Sequence, residues 1–249
     1  MTLLRDGRQL IVTVSQCSSA SSSFRHVTDA SPSSRAPRPW ARHAAYAGTM
    51  PHHPSTVVCV VLAAGAGSRF RGDRHKLLVD IDGEPLVVRA VAHALEAGVG
   101  DVVVVSGATD VPIDPSDARW AGRVSVMANE RWAEGQASSL RAGVAVADAV
   151  GADAVVVGLG DQPGVTSAAW RAVATAPADQ PVVVASYDGR RGPHPVRLHR
   201  SVWPMLSDTG DDGARTLMRD HPTLVHEVPC PGTAADIDTL EDVQRWRSS

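Results

Sequence analysis

Lysine is almost missing from this sequence. Of 24 basic side chains only Lys76 is a lysine, and the other 23 are arginine. Cysteine is nearly as scarce. Three residues, at 17, 59 and 230, are too few and too scattered for a disulfide framework or a zinc cluster. Long apolar runs are absent too: the longest, Val57 to Ala66, has about ten residues where a membrane span needs roughly 20. Positive charge is lacking over most of the chain. Residues 1–54 hold six arginines against Asp6 and Asp29, a net +4, whereas the remaining 195 residues hold 18 basic and 25 acidic side chains, a net −7. An acidic body does not suit a protein that lives on nucleic acid, since phosphate-backbone binding needs a basic footprint. Neither nucleic acid nor membrane is therefore expected as a partner, and a reducing, cytoplasmic setting fits. Any phosphate chemistry must be local, with a metal or a few cations placed at one site.

What is present is enough for one domain or two: 249 residues, 43% hydrophobic, with a sizeable core within reach. The first 54 residues read as a separate piece. Segment 15–37 has nine serines, few large apolar residues and no sustained period. Such a stretch buries too little surface to offset its ordering entropy. An arginine- and serine-rich leader can be an organelle transit peptide. The plainer expectation is a disordered or non-native extension over 1–54, upstream of Met50, with the functional domain at 55–249.

From residue 55 onward strand and helix patterns alternate. Thr56–Leu62 is a continuous run rich in β-branched residues, the mark of a strand buried on both faces. Asp101–Val105, Val124–Met127, Ala154–Leu159, Val182–Ala185 and Leu224–Val228 read as further strands, with a short piece near Ala235–Asp238. Pro85–Ala97 has helical spacing, opened by proline and closed by Gly98. Gln136–Ala149, Ser167–Ala174, Asp212–Arg219 and Leu240–Trp246 read as the other helices. Alternation of this kind predicts an α/β fold with a mainly parallel sheet, whose ligands sit outside the carboxyl ends of the strands.

Three segments carry the chemistry. The loop after the first strand reads Leu62-Ala63-Ala64-Gly65-Ala66-Gly67-Ser68-Arg69. Glycines at 65 and 67 allow a sharp turn with exposed N–H groups, a concavity suited to anions. The third glycine of the dinucleotide fingerprint is absent, with Phe70 in its place, and no Gly-Lys-Ser/Thr ends a P-loop. Alone, this loop could equally be a tight strand-to-helix turn. Lys76, eleven positions after Gly65, supplies a compact point charge that suits phosphate. With Arg69 and the two glycines it suggests a polyphosphate cradle. Second, Gly160-Asp161-Gln162-Pro163 follows Ala154–Leu159, so Asp161 is delivered to the same sheet edge. A carboxylate beside a triphosphate needs a cation between them, and Mg²⁺ typically takes one or two carboxylates plus substrate phosphates. Third, Asp236-Ile237-Asp238-Thr239, if extended, sets two carboxylates on one face, although Asp238 could instead cap the last helix. Two further segments stay open: Ser138, ahead of Ser139-Leu140, is a plausible helix cap, and Gly210 to Arg215 is either a capped helix start or an anion site using Arg215. His194, within Gly192-Pro193-His194-Pro195, reads as structural or solvent-facing rather than as a catalytic base.

The ordered set LAAGAGSR…K, GQASSLRAG, GDQP, GDDGAR and DIDT resembles molybdenum cofactor cytidylyltransferases and related MobA-like nucleotidyltransferases, over about residues 57–246. The resemblance implies a Rossmann-like, three-layer α/β sandwich and Mg²⁺-dependent transfer of a nucleoside monophosphate from a nucleoside triphosphate, CTP being favoured, with release of pyrophosphate. The acceptor it implies is a phosphorylated small molecule, the molybdopterin cofactor, with a molybdoenzyme or its chaperone as candidate recipient of the product. Carried over residue by residue, Leu62, Ala63, Ala64, Gly65, Gly67, Arg69, Lys76, Gly135, Ser139 and Asp161 would hold the nucleotide. Lys76, Asp161 and Arg69 would be catalytic, and Asp161, Asp238 and Asp236 would be the metal ligands. Two departures stand out: the stretch from Arg69 to Lys76 is longer and more basic than the family pattern, and Pro193 splits an expected Gly-His-Pro. A cytidylyltransferase with a sugar-phosphate or isoprenoid-precursor acceptor, or a non-catalytic nucleotide-binding chaperone, is the alternative.

Overall fold

The computed structural model describes residues 2–6, 9–13, 56–177 and 179–248. The chain divides into two units, residues 1–54 and 55–249. In the first, β1 (Thr2–Asp6) and β2 (Gln9–Thr13) pair antiparallel, with Thr2 opposite Thr13 and Asp6 opposite Gln9. The sequence reading assigned no element there. Its Ser-rich segment 15–37 lies outside the described residues.

The second unit opens with β3 (Val57–Ala63), followed by a small hairpin, β4 (Asp80–Ile81) and β5 (Glu84–Pro85). Asp82 and Gly83 form the hairpin turn, both at positive φ (56° and 89°), as a two-residue hairpin of this twist requires. Then come α1 (Leu86–Glu96), β6 (Gly100–Ser106), β7 (Val124–Ala128), α2 (Gln136–Ala149), β8 (Ala154–Leu159) and α3 (Ser167–Thr175). The chain continues through β9 (Val182–Tyr187), β10 (Arg190–His199), α4 (Arg215–Asp220), β11 (Val225–Pro229) and α5 (Leu240–Arg247). Seven strands form one sheet in the order β11-β9-β10-β8-β3-β6-β7. Every pairing in it is parallel except those of β10, which runs against both β8 and β9.

The layering follows from the period-2 alternation of the strands. On β3, Cys59, Val61 and Ala63 join a core with Val87, Val91 and Ala94 of α1 and Trp170 and Val173 of α3. Val58, Val60 and Leu62 face the opposite way, into a core with Leu140, Val144 and Ala147 of α2 and Leu217 and Met218 of α4. Both faces of β3 are therefore dry, which is why its sequence is apolar throughout. The result is a three-layer α/β sandwich with a mainly parallel sheet, as expected.

Three readings are corrected. β10 was not anticipated: Gly192, Pro193 and Pro195 break its pattern, and the ladder to β9 loses register between Arg191 and Val196. Proline has no N–H to give a ladder, so these residues are pushed out as a bulge. The piece near Ala235–Asp238 joins no sheet; it is fastened just past the end of β8 by Ile237 N donating to Asp161 O at 3.0 Å. The cap of α5 is Thr239, not Asp238. Thr239 Oγ1 accepts from Asp242 N at 3.2 Å, and the Asp242 carboxylate accepts in return from Thr239 N at 2.9 Å, a reciprocal capping box. Asp238 is thereby left free to face elsewhere.

Removing the Thr239 hydroxyl leaves one backbone donor of the first turn, Asp242 N, without its acceptor. Thr239→Ala is expected to lower stability by about 1 kcal/mol, read as a reduced midpoint in urea with an unchanged slope, while Thr239→Ser restores most of the loss.

Candidate active site

The parallel strands β3 and β8 are neighbours, and Gly160 N donates to Leu62 O at 3.0 Å. Their carboxyl ends thus release the glycine loop and Asp161 side by side. In the loop, Gly67 has φ of 60°, and a Cβ there would come within 3.0 Å of the His75 ring. A Cβ on Gly65 would meet nothing within 4 Å, so the backbone there borders open space. His75 folds the loop back on itself. Its Nδ1 accepts from Leu77 N at 3.3 Å, which places the ring proton on Nε2, and Nε2 donates to Gly65 O at 3.0 Å. The same contact caps the one-turn 3₁₀ helix Lys76–Leu78, and Leu77, 3% exposed, anchors that turn in the core.

Lys76 is the centre of the site. Its Nζ donates to Asp161 Oδ2 at 2.6 Å and to Asp238 Oδ1 at 2.6 Å. The other oxygen of Asp238 accepts from Arg69 Nη1 at 2.8 Å. The Lys76 and Asp161 side chains are only 13% and 15% exposed, whereas Arg69 is 81% exposed and capable of reaching into solvent. Burial by itself would lower the Lys76 pKa, but the two carboxylates outweigh it and hold the ammonium above its ordinary value. The lengthened stretch between Arg69 and Lys76 therefore does not displace the lysine from the carboxylates.

Asp236 stands one step behind. Its Oδ1 accepts from Gln162 Nε2 at 2.7 Å, and Gln162 also donates to Ala234 O at 3.1 Å. Burial pushes the Asp236 carboxyl pKa up, and the charges of Asp161 and Asp238 push the same way. Gln162, 1% exposed, is a residue that the sequence reading quoted in its motif but gave no role; the proline after it was the only local signal. His75 was missed as well, because its role is a contact with the backbone of Gly65.

Gly135 lies at the start of α2 with φ of 104°, packed so closely that a Cβ would come within 2.5 Å of Gly210. Ser139, 3% exposed, accepts from Asn129 Nδ2 at 3.0 Å, and Ser138 accepts from the same nitrogen at 2.9 Å. Ser138 does not cap the helix: its hydroxyl bonds Gly135 O and Arg131 O from within the first turn. Leu62, Ala63 and Ala64 are all buried, and Ala64 O accepts from Ala108 N at 3.1 Å. The structure thus brings Gly65, Gly67, Arg69, Lys76, Asp161, Asp236 and Asp238 to one sheet edge. It places Ser139 and Gly135 at the first turn of α2.

Among the described residues no group of three or more His, Cys, Asp or Glu side chains is close enough to cage a metal ion. The donors present still fit a hard divalent cation. Among the described residues the buried Asp161 Oδ1 finds no hydrogen-bond partner, and two carboxylates already hold one positive charge between them. Mg²⁺ is commonly bound by one or two carboxylates completed by substrate phosphates, without an all-protein cage.

His194 sits in the β10 bulge, 5% exposed, with its buried Nδ1 unpaired among the described residues. Burial, assisted by the charge of Arg215, lowers its pKa from 6.5 to about 3. The unfolded imidazole takes a proton below pH 6.5 and the folded one does not until about pH 3, so stability is lost as pH falls through that window. Urea midpoints measured at pH 7, 5 and 4 are expected to drop steadily, and His194→Gln to flatten the drop.

The chain has known relatives. The model of the MobA-like NTP transferase domain matches residues 59–226. The purine catabolism protein PucB of Bacillus subtilis (strain 168) is 30% identical over 205 residues, covering 77% of this chain and 96% of that protein. 2-C-methyl-D-erythritol 4-phosphate cytidylyltransferase of Rhodococcus jostii (strain RHA1) is 38% identical over 92 residues, 37% of this chain and 39% of that enzyme. The structure of Rv0371C from Mycobacterium tuberculosis H37Rv in complex with manganese matches with a TM-score of 0.60 at 25% identity, covering 78% of this chain and 100% of that one. With a glycine loop, a lysine and a pair of carboxylates meeting at one sheet edge, and with a family match across most of the second unit, the chain belongs to the MobA-like NTP transferases and is a nucleotidyltransferase.

Proposed function

We propose that the protein moves CMP from CTP onto the terminal phosphate of the molybdopterin cofactor, with Mg²⁺, in the cytoplasm. The observation that carries this reading is Lys76 Nζ held at 2.6 Å by both Asp161 and Asp238 beside the open face of Gly65. A cation already bridging two carboxylates next to exposed loop backbone is an arrangement suited to a nucleotide's phosphate tail. The similarity to a cytidylyltransferase over 92 residues supports CTP as donor, and Ala64 in the LAAG run agrees with it. The family resemblance supports the acceptor, and a molybdoenzyme or its chaperone is the expected recipient of the product. A second reading keeps this donor side and changes the acceptor to another phosphorylated small molecule; the same 92-residue similarity favours it.

The chemistry needs little acid–base help. An oxygen of the acceptor phosphate attacks the α-phosphorus, the α–β anhydride bond breaks, and its electron pair leaves on pyrophosphate. The nucleophile is already anionic, so the barrier lies in bringing anions together and in stabilising the leaving charge. Asp161, with its unpaired Oδ1, and Asp238 would hold the divalent cation, with Asp236 behind them. When bound, that cation supplies charge neutralisation at the phosphates. Lys76 exchanges its carboxylate partners for β- and γ-phosphate oxygens as the nucleotide enters. The N–H groups at Gly65 and Gly67 and the exposed Arg69 guanidinium take up the rest of the tail. Gln162 holds Asp236 in place, and Gly135 and Ser139 stand where the nucleoside would lie.

Pyrophosphate release tests this. With Mg²⁺ and the molybdopterin cofactor, turnover is expected with CTP well above that with ATP, GTP or UTP. Asp161→Asn is expected to reduce kcat by roughly 10³-fold or more with the unfolding midpoint nearly intact, and Lys76→Arg to restore little of a Lys76→Ala loss because a planar fork replaces a point charge. Near-normal turnover of the Asp161 variant at saturating Mg²⁺ removes that carboxylate from the chemistry.

A further inference from the structure

The charged groups of the site are mounted on a small apolar cluster that is separate from the two large cores. Ile237 and Val243 are buried in it, and Phe70, Val79 and Trp246 pack against it. Phe70 directly follows Arg69, and its N–H donates to Gly67 O at 2.9 Å, inside the glycine loop. Val79 closes the turn that begins at Lys76, with Val79 N donating to Lys76 O at 3.1 Å. Ile237 lies between Asp236 and Asp238. Arg69, Lys76, Asp236 and Asp238 are thus each a few residues at most from an anchor in this one cluster.

α5 closes the cluster with little apolar surface of its own. Val243 is its one buried residue, Trp246 is its second anchor, and Leu240 is 45% exposed. Arg247 Nη2 adds a hydrogen bond to Asp80 O of the β4–β5 hairpin, at 2.8 Å. Two contacts carry the seat of this helix onward to the active residues. Ile237 shares the cluster with Val243, and its N–H donates to Asp161 O at 3.0 Å. A Cβ on Gly164 would come within 3.3 Å of the Trp246 ring, so that ring borders the loop that carries Asp161. A short helix with two apolar anchors is a local unit that opens at less cost than the strands of the large cores.

We propose that Val243 and Trp246 are positioning residues of the transferase: by seating α5 they keep Ile237 in place and so hold Asp238 against Lys76. This rests on the roles given above to Lys76 and Asp238, and adds the element that assembles them. Asp238 stands between Ile237 and Thr239, the cap of α5, so the docked helix fixes it from both sides. When α5 lifts, Ile237 and Thr239 leave with it, and Lys76 and Arg69 lose one carboxylate. Asp161, just past the end of β8, keeps its place. Only the docked form presents both carboxylates to a divalent cation, so the apparent affinity for that cation falls in proportion to the docked fraction.

Hydrogen exchange of the full chain, without ligand, tests the coupling directly. The Ile237 amide and those of α5 are expected to exchange as one unit, faster than those of β3 and β8. Trp246→Ala and Val243→Ala should each speed that exchange by about tenfold or more, with β3 and β8 unmoved and Trp246→Phe close to wild type. In pyrophosphate release with CTP and the molybdopterin cofactor, Trp246→Ala should raise the Mg²⁺ concentration for half-maximal rate by about tenfold, with kcat restored at saturating Mg²⁺. Val173→Ala, which truncates a buried side chain of α3 in a large core, should lower the urea midpoint but leave the Mg²⁺ requirement alone. The proposal is overturned by an Ile237 amide that keeps its protection while α5 loses it, or by α5 exchanging only with global unfolding. An unchanged Mg²⁺ requirement in a Trp246→Ala protein whose α5 exchanges faster overturns it too. Wild-type turnover and Mg²⁺ requirement in Asp238→Asn would instead sink the role given to Asp238, and the absence of any pyrophosphate from wild-type protein would sink the donor and acceptor assignment. In both cases the exchange data still decide whether α5 holds Ile237.

Discussion

The active edge of this protein depends on one ammonium being shared by two carboxylates that are far away in sequence. Lys76 meets Asp161 across 85 residues and Asp238 across 162. Taking three charges largely out of water is expensive, and it is tolerable only because every contact is a short, charge-assisted hydrogen bond. Removing Lys76 would leave the Asp161 carboxylate without its counter-ion, whereas removing either carboxylate leaves the ammonium paired with the other. The same cost explains why the arrangement suits catalysis: the site holds a positive charge between carboxylates until a more negative phosphate tail competes for it.

Around that centre, neutral groups fix the geometry. Gln162 ties Asp236 and the 234–238 segment to the end of β8, and Ile237, 2% exposed, plugs that segment into a small core with Ile81, Leu86 and Val243. His75 fixes the curl of the glycine loop from the other side. The capping box of Thr239 and Asp242 uses the residue next to Asp238 for the helix and leaves Asp238 itself for Lys76 and Arg69. A site built in this way keeps its charged groups in position before substrate arrives, which is where most of the rate of such transfers originates.

Much of the fold was legible in advance, because it rests on local patterns. The apolar runs of β3, β6 and β8 can be satisfied only by a sheet buried on both faces, and the helical periods between them force crossovers. β10 was not legible. Its glycine and two prolines argue against a strand locally, and only its two neighbours, β8 and β9, supply the ladder that overrides them. The reading of 235–238 as a strand failed because the segment pairs with no other strand: it is fastened by Ile237 N to Asp161 O and by its side chains. Among the site residues, Lys76 stood out through its uniqueness and Asp161 through its place after a strand. Gln162 and His75 did not, since their work is to bind backbone or a neighbouring carboxylate.

By itself the sequence determined the layer architecture, the position of the glycine loop at a strand's carboxyl end, and the kinds of charge available there, because these follow from periodicity, burial and side-chain chemistry within a few residues. The tertiary structure alone decided that Lys76 reaches both Asp161 and Asp238, and that the His194 ring is buried with an unmet hydrogen bond. Each of these is a distance between segments separated by a whole strand or helix, and such distances are set by how the sheet packs, not by any stretch of chain read alone.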